Sequence, residues 1–118
     1  IMGDFNDTPR DSSIQDVLLS VPTRSGALLL TNPFIDFMLE QKGSYNYRGS
    51  WDMIDQIIIS RNMLHIQNRP RFQQAGIFQQ EWMMYNDNKY GPSPSRTYGG
   101  PKYYGGYSDH LPVFITIK

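Results

Sequence analysis

The run Ile54-Asp55-Gln56-Ile57-Ile58-Ile59-Ser60 carries three successive β-branched isoleucines and constrains the fold of this chain more than any other stretch. β-Branched side chains fit an extended backbone and crowd a helix, and a short unbroken apolar run predicts a strand buried on both faces. Such a strand belongs at the centre of a sheet. A closing strand is predicted between Leu111 and Lys118, where Val113, Ile115 and Ile117 alternate with their neighbours. Ile1 and Met2 read as the tail of a further buried strand, followed by a polar loop from Gly3 to Arg10.

Helical signals lie between these strands. Ser12-Ser13-Ile14-Gln15 has the spacing of a capping box, and Ile14, Val17, Leu18 and Val21 recur at helical intervals up to Pro22, which predicts a short amphipathic helix over 12–20. Asn32 as an N-cap and Pro33 at the first helical position precede Phe34, Ile35, Phe37, Met38 and Leu39, and Gly43 ends the pattern. A second helix is the first reading there, with a strand as the alternative because of the aromatic content. Residues 61–74 are polar and basic, Ala75 to Phe78 reads as a short strand, and Trp82-Met83-Met84 as a turn of helix. From Tyr85 to Tyr107 the chain is rich in Gly, Pro, Ser, Asn and Tyr and reads as one long loop, of the kind that is functional or disordered in compact domains.

With 118 residues and 39% hydrophobic content, the chain fits one globular domain. Folding at this size buries roughly 65% of the surface of the unfolded chain, enough for a modest core. Eleven basic residues balance eleven acidic ones, so no global positive field gathers nucleic acid by counterion release. The absence of cysteine removes disulfides, thiol nucleophiles and thiolate metal sites. No basic and apolar leader opens the chain, and no apolar run approaches the roughly 20 residues that span a bilayer.

Three acidic motifs abut the apolar runs: Gly3-Asp4-Phe5-Asn6, Trp51-Asp52-Met53-Ile54-Asp55 and Ser108-Asp109-His110. Hydrolysis of a phosphate ester needs a positioned water, a group that takes its proton, and positive charge or donors around the phosphoryl oxygens. Strand alternation puts Asp4 and Asn6 on one face with Phe5 toward the core. There Asp4 can accept the proton of a water, and Asn6 can hold that water or a phosphoryl oxygen; the plainer alternative is a polar turn after a strand. Asp55 stands at the entrance of the isoleucine strand, where a buried carboxylate needs a partner. Asp52 fits a solvated loop acid or a cap. His110 can stabilise or protonate a phosphoryl oxygen, and Asp109 can ligate a hard divalent ion or position its waters. Arg96, Tyr98 and Tyr107 lead into the last motif and fit stacking on or clamping a substrate, or an aromatic lid without ligand contact. His65, outside any motif, reads as a surface or packing residue, and Arg61, Arg69 and Arg71 as a solvated basic surface.

From Gly3 to Val113 these motifs resemble the carboxy-terminal half of the endonuclease/exonuclease/phosphatase superfamily, the DNase-I-like metal-dependent phosphodiesterases. The Asp-His pair before an apolar strand matches the family's closing motif almost to the letter. Gln56 departs from the aromatic residue common after the acid at Asp55. The resemblance implies an α+β fold, one half of a four-layer αββα sandwich with a mostly antiparallel or mixed sheet and flanking helices. It implies that Asp4, Asn6, Asp55, Asp109 and His110 serve catalysis, with Asp55 orienting His110, and that Mg²⁺ or Mn²⁺ is the cofactor. It further implies that a metal-binding Glu and another Asn come from an amino-terminal half; Glu40 and Glu81 sit in unrelated contexts. On this reading residues 1–118 are a fragment, feeble or inactive alone, whose open sheet face is covered by the absent half or by a second copy. The expected parent reaction is hydrolysis of a phosphate mono- or diester, with nucleic acid among the candidate substrates. The rival is a non-catalytic binding or assembly module that retains the fold.

Overall fold

A computed structural model describes residues 1–21, 30–65 and 70–118, with the side chain of Val21 left out. In chain order the strands are β1 (Met2–Asp4), β2 (Ser20–Val21), β3 (Leu30–Thr31), β4 (Tyr45–Tyr47), β5 (Ser50–Asp52), β6 (Asp55–Ile57), β7 (Ile59–Ser60), β8 (Phe72–Ile77), β9 (Met84–Asp87), β10 (Gly91–Pro94), β11 (Tyr98–Gly99), β12 (Lys102–Tyr103) and β13 (Val113–Ile117). Two short α-helices, α1 (Ile35–Leu39) and α2 (Asn62–His65), join them, with a π turn at Ser13–Val17 and a 3₁₀ turn at Glu81–Met83. The fold is therefore α+β. Among the described residues every pairing is antiparallel except β2 with β3.

The isoleucine run forms two strands rather than one central strand. β6 pairs with β1, and β7 pairs with β3, so the chain changes partner at Ile58. Ile58 and Ile59 are buried with Ile14, Phe34, Ile35, Met53, Met83 and Leu111. Gln56, between two half-buried neighbours of β6, is also fully buried. Its Oε1 accepts from Asn32 Nδ2 at 2.6 Å, and its Nε2 donates to the carbonyls of Asp7 at 2.6 Å and Met53 at 3.1 Å. A buried amide is tolerable when its donors and acceptor find partners, as they do here. Gln56 thus fills its position with hydrogen bonds that an apolar side chain could not make.

Both helical expectations shorten. Instead of a helix over 12–20 there is a single π turn, because Leu19 adopts a left-handed φ of 56° and Ser20–Val21 joins a sheet. Ser12 makes no side-chain cap; Ser13 Oγ donates instead to Asp7 Oδ2 at 2.5 Å, and Val17 is exposed. Pro22, the expected stop, lies outside the described residues. Around Asn32 the helical reading holds over the strand alternative, but Asn32 is not the N-cap. Its Oδ1 accepts the Phe34 N–H at 3.0 Å, Phe34 caps α1, and the chain leaves the helix through Gln41 at φ 57° before Gly43 is reached. Gly43 is needed for packing, since a Cβ there would collide with the Asp52 backbone.

The Tyr85–Tyr107 segment is not one long loop. It folds into two hairpins, β9–β10 and β11–β12. Their sequences lack apolar alternation because neither side is deeply buried, so backbone pairing and turn chemistry carry them. Asp87 Oδ1 closes the first turn by accepting the N–H groups of Lys89 at 2.8 Å and Tyr90 at 2.9 Å. The closing strand is present as β13, paired with a β8 that is longer than the short strand expected at 75–78. The 3₁₀ turn at Glu81–Met83 matches the expected turn of helix. Ile1 and Met2 are largely exposed rather than a buried tail. On β6 and β13, Ile57, Val113 and Ile115 are half-buried. No helix among the described residues is long and apolar enough to cross a membrane.

Candidate functional site

The register of β1 against β6 sets Asp4 directly opposite Asp55. Phe5 N–H continues the ladder to the Ile54 carbonyl at 3.0 Å. Like charges facing one another across a pair of strands are unfavourable, so this placement calls for a cationic or donor partner. His110 is one such partner: its Nδ1 lies 2.7 Å from Asp55 Oδ2, with both side chains about four-fifths to three-quarters buried, at 19% and 26% exposure. With Nδ1–H donated to the carboxylate, Nε2 is the ring nitrogen left to face a reactant.

Several backbone links hold His110 there. Its own N–H donates to Ser108 Oγ at 3.0 Å, which curls the Ser108-Asp109-His110 segment. The His110 ring lies against Tyr45, centroids 4.9 Å apart, and the two residues form an isolated antiparallel bridge. Ser44, fully buried, ties the pair together from behind. Its carbonyl accepts the Leu111 N–H at 2.7 Å, its hydroxyl accepts the Asp55 N–H at 3.1 Å, and its N–H donates to the Asp52 carbonyl at 3.1 Å. One residue thereby anchors the backbone at Asp55 and the backbone next to His110. A serine between Gly43 and Tyr45 carries no sequence signal for that role, which arises only from chain crossings.

The approach to His110 is built on the Ser95 carbonyl, which accepts the N–H groups of Tyr107 at 2.7 Å and Ser108 at 3.2 Å. The single hydroxyl hydrogen of Thr97 is shared between the carbonyls of Gly106 at 2.9 Å and Tyr107 at 3.0 Å. Gly106 permits this crossing, because a Cβ at that position would collide with the Ser95 carbonyl. Tyr107 packs edge to face with Trp82 at 4.9 Å, and both border a cleft of about 450 Å³ that contains Asp4, Asp55 and His110. Trp82 had no site signal in the sequence; its contact with Tyr107 is made in space.

The remaining predicted residues are placed differently. Asn6 leaves the strand with φ 53°, so it does not share the face of Asp4 by strand alternation; its N–H instead donates to Asp4 Oδ1 at 2.9 Å. Asp109 is half-buried beside His110 and lies outside the Asp4–Asp55–His110 cluster and outside the cleft lining. Arg96 borders a different cleft, and exposed Tyr98 stacks at 5.2 Å on Tyr103. Asp52 ends β5. Glu40 pairs with Lys42 at 2.7 Å and Glu81 is exposed, so neither joins the cluster. His65 is exposed at the end of α2, and Arg69 lies outside the described residues.

Asp4, Asp55 and His110 each offer one ligand atom, and these atoms lie within 4.8 Å of one another. Two carboxylates suit a hard divalent ion such as Mg²⁺. Asp55 is already engaged by His110, whereas exposed Asp4, among the described residues, accepts only the Asn6 N–H, on Oδ1, so Asp4 is the oxygen donor with the less competition of the two. The donor set fits such an ion through Asp4, with Asp55 held back as the partner of the histidine.

A family model described as "Endonuclease/Exonuclease/phosphatase family" matches residues 1–118. No curated protein and no solved structure matches the chain.

Proposed function

We propose a function for a chain that belongs to the endonuclease/exonuclease/phosphatase family: it contributes Asp4, Asn6, Asp55, Asp109 and His110 to the divalent-metal-dependent hydrolysis of a phosphate mono- or diester. The observation that carries this reading is the 2.7 Å contact between His110 Nδ1 and Asp55 Oδ2 beside the facing carboxylate of Asp4. Asp55 holds the histidine in one tautomer, so His110 Nε2 is available to donate to or protonate a phosphoryl or leaving oxygen. Asp4, exposed at the strand end, takes the proton of the attacking water or holds the metal. Asn6, coupled to Asp4 through its backbone, supplies an amide to the same oxygen. Asp109 adds a carboxylate next to His110. Mg²⁺ or Mn²⁺, when bound, supplies positive charge to the phosphoryl oxygens as they gain charge.

In this reading the α+β fold is one half of a DNase-I-like sandwich, and residues outside these 118 complete the site. Glu40 and Glu81 both stand away from the cluster, so on this reading the metal-binding Glu comes from elsewhere. Single preorganised donors are worth about 10²–10³ in rate, so these residues alone should turn over weakly. The substrate is a phosphate ester, with nucleic acid as one class.

The test is hydrolysis of bis-p-nitrophenyl phosphate with Mg²⁺, with Mn²⁺ and with EDTA, by this chain alone and by the chain joined to an amino-terminal half of the family's domain. Metal-dependent turnover in the joined protein that falls about 10²-fold or more in His110→Ala is the expected result. Turnover indifferent to EDTA, or equal in His110→Ala, would remove the site from the chemistry.

A further inference from the structure

A second cleft, of about 570 Å³, lies where the β4–β5 and β9–β10 hairpins meet the Ser95–Arg96 segment, and it shares no lining residue with the cleft of Asp4, Asp55 and His110. Its wall combines four phenol rings, Tyr47, Tyr85, Tyr90 and Tyr104, with the guanidinium groups of Arg48 and Arg96. Aromatic faces beside arginines form a surface for a flat ring that carries negative charge, since the rings stack and the planar guanidinium pairs with oxyanions in two-pronged fashion.

Three features make this more than an accidental grouping. First, neither arginine has an ion pair with a carboxylate among the described residues. The acid in the cleft, Asp87, stays anionic, since the Lys89 and Tyr90 amides hold its pKa below the ordinary carboxylate value, but it lies in no ion pair with either arginine. Second, the turn sets where the Arg48 side chain leaves the backbone. Arg48 and Gly49 both take positive φ, 52° and 94°, as a two-residue hairpin turn requires, and Asn46 Oδ1 secures the turn by accepting the Gly49 N–H at 2.9 Å. The turn accounts for the left-handed backbone of Arg48. Its guanidinium then lies 5.2 Å over the Tyr47 ring. Third, Asn46, at the wall of the cleft and 7% exposed, has an amide nitrogen without a protein acceptor. A buried donor of that kind is stabilised when an acceptor reaches it.

We propose that this second cleft binds an anionic ligand built on a planar ring, the chemistry of a nucleoside monophosphate, with Arg48 and Arg96 meeting the phosphate and the tyrosines the ring. The site is independent of hydrolysis at the acid cluster and stands or falls on binding alone.

Calorimetric titration of the chain with adenosine 5′-monophosphate in EDTA tests it, because EDTA removes metal-dependent binding at Asp4. Saturable binding is expected, weakened about tenfold or more in Arg48→Asn and in Arg96→Ala, on the scale of one charge-assisted hydrogen bond. Asparagine at position 48 tolerates the left-handed backbone and so preserves the turn. Inorganic phosphate, adenosine and glucose 6-phosphate should each bind at least about tenfold more weakly than the nucleotide, since each lacks the ring or the charge. Four results would overturn the proposal: no saturation by about 10 mM nucleotide, unchanged affinity in both arginine variants, glucose 6-phosphate binding as tightly, or loss of binding in His110→Ala, which would move the ligand to the first cleft.

Discussion

Asp55 Oδ2 and His110 Nδ1 meet at 2.7 Å although 55 positions separate them in the chain. Their union depends on a strand register on one side and on Ser44 on the other, so removing the carboxylate should act on the imidazole rather than on the fold. Asp55→Asn keeps the shape and loses the charge; it should lower metal-dependent turnover of the completed domain by about 10²-fold or more while shifting the melting temperature little. Turnover assays paired with thermal denaturation check this, and an Asp55→Asn protein of full activity would contradict it.

Ser44 offers a complementary test. Ser44→Ala leaves its backbone bonds in place but strips the acceptor from the Asp55 N–H, a partly buried donor. A cost of about 1–2 kcal/mol is expected. Urea unfolding reads the stability, and the His110 ring resonances in NMR should shift as Asp55 moves.

Gln56→Leu removes the acceptor of Asn32 and both donors to the Asp7 and Met53 carbonyls. The orphaned groups should cost roughly 2–4 kcal/mol in unfolding free energy, more than most surface substitutions. In a double-mutant cycle with Asn32→Leu the two losses should be sub-additive, since one of them is shared.

Gly106→Ala places a Cβ against the Ser95 carbonyl. Backbone cannot yield as a flexible side chain can, so the crossing that accepts Tyr107 and Ser108 should open. The expected signature is a loss of protection from hydrogen exchange at the Tyr107 and Ser108 amides, together with a fall of about 1–3 kcal/mol in stability.

Acid should loosen the β9–β10 turn through Asp87. Its pKa is lowered from the ordinary 3.8 first by the Lys89 amide and then by that of Tyr90. A depressed folded-state pKa stabilises above the unfolded value and loses that contribution as pH falls through the folded one, so the change belongs below about 3.8. Amide shifts of Lys89 and Tyr90 followed by NMR during an acid titration check it; in Asp87→Asn the same amides should show no such titration.

The clustered Asp55 and His110 stood out in the sequence as candidates because the patterns that mark them are local: an Asp before an isoleucine run and an Asp-His pair before an alternating strand are short, and Asp55 and His110 both line the same cleft. α1, β13, the short strand before Phe78 and the 3₁₀ turn at Trp82 were legible for a similar reason, since periodicity and turn residues act within a few positions. The amphipathic pattern at 12–20 misled, because the pull of sheet pairing at Ser20–Val21 outweighed a weak helical preference. Tyr85–Tyr107 misled in the opposite direction, because hairpins exposed to water carry no apolar alternation to read.

By itself, the sequence determined which residue types stand at the strand ends and therefore what chemistry the chain can offer: carboxylates, an amide and an imidazole, with no thiol and no surplus of positive charge. Only the tertiary structure decided that Asp4 faces Asp55, that Asp109 stands outside the cluster they form with His110, that Ser44 holds Asp55 and the backbone beside His110, and that Trp82 meets Tyr107. Those relations depend on strand register and on crossings between distant segments, and a one-residue slip of β1 against β6 would turn Asp4 and Asp55 to opposite faces.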